Sequence, residues 1–227
     1  MTTARIANKR NRSGLTYDRW FDDPWGSYAS AIESKAIRRA FPPKDGLTVL
    51  DAGCGTGRFS TALAGRAVTV IGIDANLDML GVAKTRLQGR CVCALVEALP
   101  FHDDTFDVTM STTVLEFVSD PAKAMAQLAR VTRPGGRVVI GTLNPRSPWG
   151  LVNRQRLHSG SWCDARFLSH NELLRLATPH GSVRISTVLL APRAFPGLNF
   201  VGPWLEKVAH LAPKHGAFRV LTIDMPG

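Results

Sequence analysis

Long apolar runs are missing from this chain of 227 residues: no stretch approaches the roughly 20 residues that a membrane-spanning helix needs. No integral membrane association is therefore expected. Met1 to Leu15 carries Arg5, Lys9, Arg10 and Arg12 but no apolar h-region, so the segment is expected to be a frayed tail rather than a secretory leader, and the protein cytoplasmic. Cysteine is sparse. Cys54, Cys91, Cys93 and Cys163 form no C-x-x-C, and reduced thiols are the simplest account of them. The histidines 102, 158, 170, 180, 210 and 215 make no H-x-x-x-H or Cys/His cluster, so no metal site is expected. The G-x-S-x-G elbow of serine hydrolases and the G-x-x-x-x-G-K-[ST] phosphate loop are both absent.

Positive charge, by contrast, is in excess, with a formal net charge of +10. Such a balance raises nucleic acid as a partner. The cations are dispersed, however, from the tail through Arg38 and Arg39 to Arg146, Arg154, Arg156 and Arg166, without an aromatic-interleaved basic ribbon. A solvated basic surface is the simpler reading, with attraction to an anionic substrate or membrane surface as the alternative. The 44% apolar and 20% charged fractions are those of a globular chain, and the length fits one domain.

The densest signal is Val49-Leu50-Asp51-Ala52-Gly53-Cys54-Gly55-Thr56-Gly57, followed by Ile71-Gly72-Ile73-Asp74 about twenty residues on. An apolar run ending in Asp, then glycines at alternate positions, reads as a strand turning sharply into a helix, with bare backbone for a ligand to lie against. The second segment reads as a buried strand whose terminal Asp74 accepts hydrogen bonds from ribose hydroxyls. Together they describe a pocket for an adenosine-type cofactor. A dinucleotide fingerprint needs G-x-G-x-x-G, but Arg58 stands at its third glycine and Gly57 comes one residue early. The Asp51 carboxylate would also repel a pyrophosphate. It suits a cofactor that carries an ammonium and a sulfonium, which favours S-adenosylmethionine.

Strand-like and helix-like segments alternate along the chain, the pattern of an α/β domain with a largely parallel sheet. Strands are predicted at 47–51, 68–74, 91–96, 106–111, 137–142, 183–190 and 217–223. Helices are predicted at 27–40, from Gly57 to about Gly65, at 76–88 and at 120–131 with Asp120 as cap and Pro121 at its first position. Another runs from Ser169, whose pairing with Glu172 predicts a capping box, to near Thr178. Pro134-Gly135-Gly136 reads as a turn. The irregular segments 144–166 and 191–215, the latter with a helix over 203–211, read as lid or substrate walls, because long excursions in compact domains are mostly functional. The chain thus divides into an N-terminal tail and cap helix (1–44), a cofactor-binding core (45–142) and acceptor-side segments with the final strands (143–227), all within one domain.

With these motifs in place the chain resembles the class I S-adenosylmethionine-dependent methyltransferases, in particular the large group that includes the ubiquinone and menaquinone biosynthesis enzymes. The carriers are the two segments above, Glu97-Ala98-Leu99-Pro100-Phe101, Phe106-Asp107-Val108, Val114-Leu115-Glu116-Phe117-Val118 and Arg130-Val131-Thr132-Arg133-Pro134-Gly135-Gly136. The resemblance implies a Rossmann-like, mostly parallel seven-stranded sheet of order 3-2-1-4-5-7-6, with strand 7 antiparallel and helices on both faces. It implies that Asp51 and the backbone of Gly53, Gly55 and Gly57 hold the methionine portion and that Asp74 takes the ribose. Ala75 and Met79 would pack near the adenine, Glu97 and Ala98 would recognise its edge, and Ser111 and Thr112 would line the mouth at the methyl donor. In similar enzymes the region around Tyr17-Asp18-Arg19-Trp20-Phe21 folds over the cofactor, which makes Tyr17 the candidate to close it.

The activity so implied is transfer of a methyl group to a small organic acceptor, with proximity and in-line orientation as the main source of rate. A base is needed only where the acceptor must lose a proton. Glu116 is the best-placed carboxylate, and His158 is the one histidine of the 144–166 lid, among several arginines. Some quinone O-methyltransferases bind a divalent metal through an acid and then Glu-His in this stretch. Thr113, Glu116 and Phe117 stand there instead, which predicts a metal-independent reaction. An RNA methyltransferase is the alternative suggested by charge. The Asn/Asp-Pro-Pro-aromatic motif of amino-methylating nucleic-acid enzymes and the Pro-Cys nucleophile of cytosine C5 enzymes are both missing after strand four, which favours a small acceptor. A silent cofactor-binding protein is the remaining reading.

Overall fold

A computed structural model describes residues 14–42, 44–61, 63, 67–153, 164–191, 206 and 215–227. Seven strands form one sheet: β1 (Thr48–Ala52), β2 (Thr69–Asp74), β3 (Cys91–Cys93), β4 (Phe106–Thr112), β5 (Thr132–Leu143), β6 (Ser182–Val188) and β7 (Phe218–Asp224). Their order is β3-β2-β1-β4-β5-β7-β6, as the resemblance implied. The first five run parallel and β7 is antiparallel to both of its neighbours. The carboxyl ends of β1, β2 and β4 thus open on one edge.

Around the sheet lie α1 (Gly14–Asp18), a 3-10 turn (Arg19–Asp22), α2 (Pro24–Ala40), α3 (Arg58–Thr61), α4 (Leu77–Arg86), α5 (Pro121–Val131), α6 (Pro148–Val152) and α7 (His170–Ala177). Alternation along the strands sends residues to two separate cores. Val49, Met110 and Val139 meet Ala29 and Ile37 of α2 and Leu80 and Ala83 of α4 on one face. Leu50, Ile140 and Leu221 meet Met125 and Leu128 of α5 and Leu173 of α7 on the other. Burying each of these large aliphatic side chains contributes roughly 1.5–3 kcal/mol.

Several boundaries differ from the sequence expectation, each for a local reason. Helix α2 begins at Pro24, because the Asp23 carboxylate caps it through the Trp25 and Gly26 N–H groups. Strand β3 stops at Cys93: the Ala94 N–H still reaches the Asp74 carbonyl, and the chain then turns, with Ala98 N–H on the Leu95 carbonyl. Strand β5 begins at Thr132, which pairs with Phe106, and a register shift before Arg137 absorbs Pro134-Gly135-Gly136 as an irregularity within the strand. The expected tail already turns helical at Gly14. The predicted caps at Asp120 and Ser169 are present, the latter as a full capping box with Glu172. The helix expected at 203–211 lies outside the described residues apart from Glu206.

Candidate functional site

Where β1 meets α3 the backbone makes the sharp turn its glycines allow. Gly53, Gly55 and Gly57 have φ of 80°, 53° and 80°. Gly53 is required twice over, since a Cβ there would sit 2.3 Å from the Val114 Cγ2 atom of the loop after β4. A Cβ on Gly55 would meet nothing within 4 Å and would project into open space beside the loop. The N–H groups of Gly53 and Cys54 both donate to the Ile73 carbonyl at 2.8 Å, which binds the loop to β2. Asp74, ending β2, accepts from the Gly55 N–H at 2.9 Å and from the Asn76 N–H at 2.8 Å.

Asp51 is 1% exposed and accepts from the Ser60 hydroxyl at 2.5 Å. Burial pushes its carboxyl up to about 7, and the neighbouring Asp74 adds to the rise against the Ser60 hydrogen bond. Tyr17 is half-buried, edge-on to Phe21 with ring centroids 5.4 Å apart. Desolvation, then Glu33, Asp18 and Asp74, push its phenol up to about 12, so it is a neutral donor at neutral pH. Ala75 and Met79 are half-buried at the start of α4.

Two of the other expected residues have structural partners. Glu97 Oε1 accepts from both the backbone N–H (2.9 Å) and the hydroxyl (3.0 Å) of Ser119, which ties together the loops that flank β4. Ala98 beside it is exposed. The Ser111 hydroxyl donates to the Ala52 carbonyl at 2.8 Å, bridging β4 to β1. Thr112 is buried and, among the described residues, its hydroxyl has no hydrogen-bond partner, a state that normally costs free energy.

Glu116, also 1% exposed, has two unlike oxygens. Oε1 accepts from the Thr142 hydroxyl at 2.7 Å and from the Leu143 N–H at 2.8 Å, whereas Oε2 is buried with no partner. Burial raises its pKa against those two hydrogen bonds and the attraction of Arg219. Both ends of the expected lid return to this spot. Asn144 accepts from Arg219 and donates to the Gly216 carbonyl, and the Arg166 N–H donates to the Glu116 carbonyl at 2.7 Å. Trp149 of α6 packs against the α2-side core. Thr113 is held at φ 53° with its N–H on the Gly141 carbonyl. His158 and Arg154 lie outside the described residues, as does most of 191–215. Among the described residues no three His, Cys, Asp or Glu side chains group as metal ligands, and no helix is long and apolar enough to cross a membrane.

A family model described as a methyltransferase domain matches residues 50–140. The chain is also 34% identical, over 180 residues, to a ubiquinone biosynthesis O-methyltransferase of Thiobacillus denitrificans, covering 72% of this chain and 77% of that one. The chain belongs to the S-adenosylmethionine-dependent methyltransferases. A malonyl-acyl-carrier-protein O-methyltransferase of Buchnera aphidicola is 34% identical over 145 residues, and the methyltransferase described here spans 58% of that relative's length. A solved S-adenosylmethionine-dependent methyltransferase of Thermotoga maritima, described as a possible histamine N-methyltransferase, superposes with a TM-score of 0.76 over 98% of this chain and 99% of its own. At 22% identity that likeness carries the fold alone.

S-adenosylmethionine is thus the cofactor of this methyltransferase, and the donor set suits it. Acidic groups at Asp51 and Asp74 complement a cation, and the open side of Gly55 is room a side chain would fill. Sequence reasoning missed the clamp that fixes this loop. Asp18 accepts from the Thr56 hydroxyl at 2.7 Å, from Arg86 at 2.5 Å and from Arg58 at 3.3 Å, while Arg86 also donates to the Thr56 carbonyl at 2.7 Å. Burial works to raise the Asp18 pKa, but the bonds from Arg86 and Thr56 outweigh it and hold the carboxyl below its usual range. Its partners are distant in sequence, so only the Tyr17-Asp18 segment itself gave a signal.

Proposed function

We propose that this methyltransferase transfers a methyl group to a small organic acceptor by in-line displacement without a metal ion. The observation that carries the reading is the stretch after β4. Its acid, Glu116, has one oxygen committed to the end of β5, and Thr113 and Phe117 stand where the resemblance would put metal ligands. The similarity to a ubiquinone biosynthesis O-methyltransferase supports a small acceptor. Bound S-adenosylmethionine supplies an already electrophilic methyl carbon. Asp51, Asp74 and the glycine-loop backbone hold the cofactor, Ala75 and Met79 pack its base, and Tyr17 closes over it. Glu97, Ala98, Ser111 and Thr112 shape the adenine and mouth ends of the pocket.

Glu116 first positions the acceptor wall against β5, and its unpartnered Oε2 is the proton acceptor where the substrate must lose one. His158 of the lid is the second candidate base. Arg219, Arg146 and the net charge of +10 favour an anionic acceptor, and the same charge is what an RNA acceptor would use. Incubation with methyl-labelled S-adenosylmethionine and excess EDTA, with a metabolite extract in one arm and tRNA in the other, tests the reading. A labelled small molecule formed in EDTA is expected. Label in the RNA alone, or activity lost to EDTA and restored by magnesium, overturns it.

A further inference from the structure

The buried face of α2 holds Gly26, Ala29, Glu33 and Ile37. At i−4 and i+4 from Glu33, Ala29 and Ile37 pack into the core with Val49, Met110 and Val139, so the carboxyl of Glu33 stands in an apolar stripe. It is 6% exposed. Among the described residues it makes no hydrogen bond or ion pair, which is unusual for so deeply buried a carboxyl. The cations at the start of α3 and the end of α4 are engaged elsewhere: Arg58 and Arg86 both pair with Asp18.

Glu33 and Asp74 both act electrostatically on the phenol of Tyr17, whose pKa they raise. Asp51 belongs, by strand alternation, to the same face of the sheet as Val49, the face that α2 covers. Asp18 of α1 and Arg58 of α3 complete the charged groups around Tyr17. A concentration of buried acid with its cations spent elsewhere is an arrangement that a cationic ligand completes.

We infer that Glu33 is a further cofactor-binding residue, its carboxylate serving as counter-charge to the positive end of S-adenosylmethionine beside Tyr17. The inference rests on the placement of that cofactor at the glycine loop. Burial alone raises the Glu33 carboxyl to about 8, so the ligand-free protein holds it neutral and avoids an unpaired buried charge. An arriving cation favours the ionised form, and the proton leaves to solvent as the ion pair forms.

Calorimetry of Glu33→Gln with S-adenosylmethionine and with S-adenosylhomocysteine, beside Asp74→Ala, tests this, together with thermal melts of the ligand-free proteins at pH 8. We expect Glu33→Gln to lower S-adenosylmethionine affinity roughly 10- to 100-fold, as loss of a charge-assisted contact does. Its ligand-free melting temperature should be unchanged or higher, because the amide removes a buried ionising group. Equal losses for both ligands assign the ammonium, and a loss confined to S-adenosylmethionine assigns the sulfonium. Affinity within about twofold of wild type, while Asp74→Ala binds weakly, overturns the inference and leaves the cofactor placement intact. Weaker binding with a lower ligand-free melting temperature marks Glu33 as structural and overturns it as well. Should neither variant weaken binding, the placement itself fails.

Discussion

Replacing Asp74 by alanine removes a carboxylate that accepts from the Gly55 N–H at 2.9 Å and the Asn76 N–H at 2.8 Å. Hydrogen bonds to a charged acceptor contribute roughly 1.5–3 kcal/mol each, and half-burial places both near the lower end, so a stability loss of about 3 kcal/mol is expected. The fold should survive it, since Asp74 ends β2 outside the two cores and the Gly53 and Cys54 N–H groups still hold the loop to Ile73. If Asp74 accepts from the ribose as proposed, affinity for S-adenosylmethionine should fall further than stability suggests, because that acceptor and the pin that orients the loop leave together. We expect a weakening of roughly 10- to 100-fold from the ribose contact alone. Asp74→Asn keeps one carbonyl oxygen and should fall between wild type and alanine on both measures. Urea denaturation reads the first quantity and calorimetry the second. Unchanged cofactor affinity in Asp74→Ala would refute the assignment of this residue to the ribose.

Gly53→Ala should destabilise by about 1–3 kcal/mol and weaken cofactor binding, since the new Cβ meets Val114 and the positive φ strains any L-residue; an unaltered urea midpoint contradicts this. Glu116→Gln keeps an oxygen for Thr142 and the Leu143 N–H, so folding should persist. If Oε2 accepts the acceptor's proton, kcat should drop by roughly 10²-fold or more with cofactor affinity unchanged, and a loss of only a few-fold reduces Glu116 to positioning the wall. Stability should also fall as pH rises from 5 to 8. Glu33 and Asp51 stay protonated in the fold up to about 8 and about 7, whereas the unfolded chain releases both protons near pH 4. The unfolded state therefore binds fewer protons across this window, the contribution is complete below about pH 4, and it is lost through the folded pKa values at up to about 1.4 kcal/mol per pH unit per group. A chemical-denaturation series with no such decline excludes it.

The parts of this fold that were legible in the sequence are those fixed by short-range pattern. Strands β1 and β2 carry short apolar runs because both of their faces are covered, and the caps at Asp120 and Ser169 announce α5 and α7 by side-chain chemistry alone. The glycine turn and Asp74 were legible for the same reason, since their requirement for positive φ and for a strand-end acid sits within one motif. Short edge strand β3 ran out early because pairing on one side only gives the chain little to hold it past Cys93. The extension of β5 back to Thr132 depends on a partner, Phe106, that no local pattern identifies.

Side-chain roles set by distant partners were the least legible. Glu97 sits beside Leu99-Pro100-Phe101 in a motif that suggests adenine recognition, yet its Oε1 is occupied by Ser119, 22 positions on. Asp18 lies in a recognisable aromatic segment, but its work is done with Thr56, Arg58 and Arg86, up to 68 positions away. Glu33 is the extreme case. On sequence, α2 carries Ile32, Ala36 and Ile37 on its apolar side, and nothing in that local pattern singles out Glu33. Only the packing of α2 over the sheet shows that its i, i+4 neighbours are core residues and that the carboxyl is buried with them. A helix tolerates such a residue when the free energy lost on ionisation is recovered in another state of the molecule. On the inference drawn for Glu33, the cofactor-bound state is the one that recovers it.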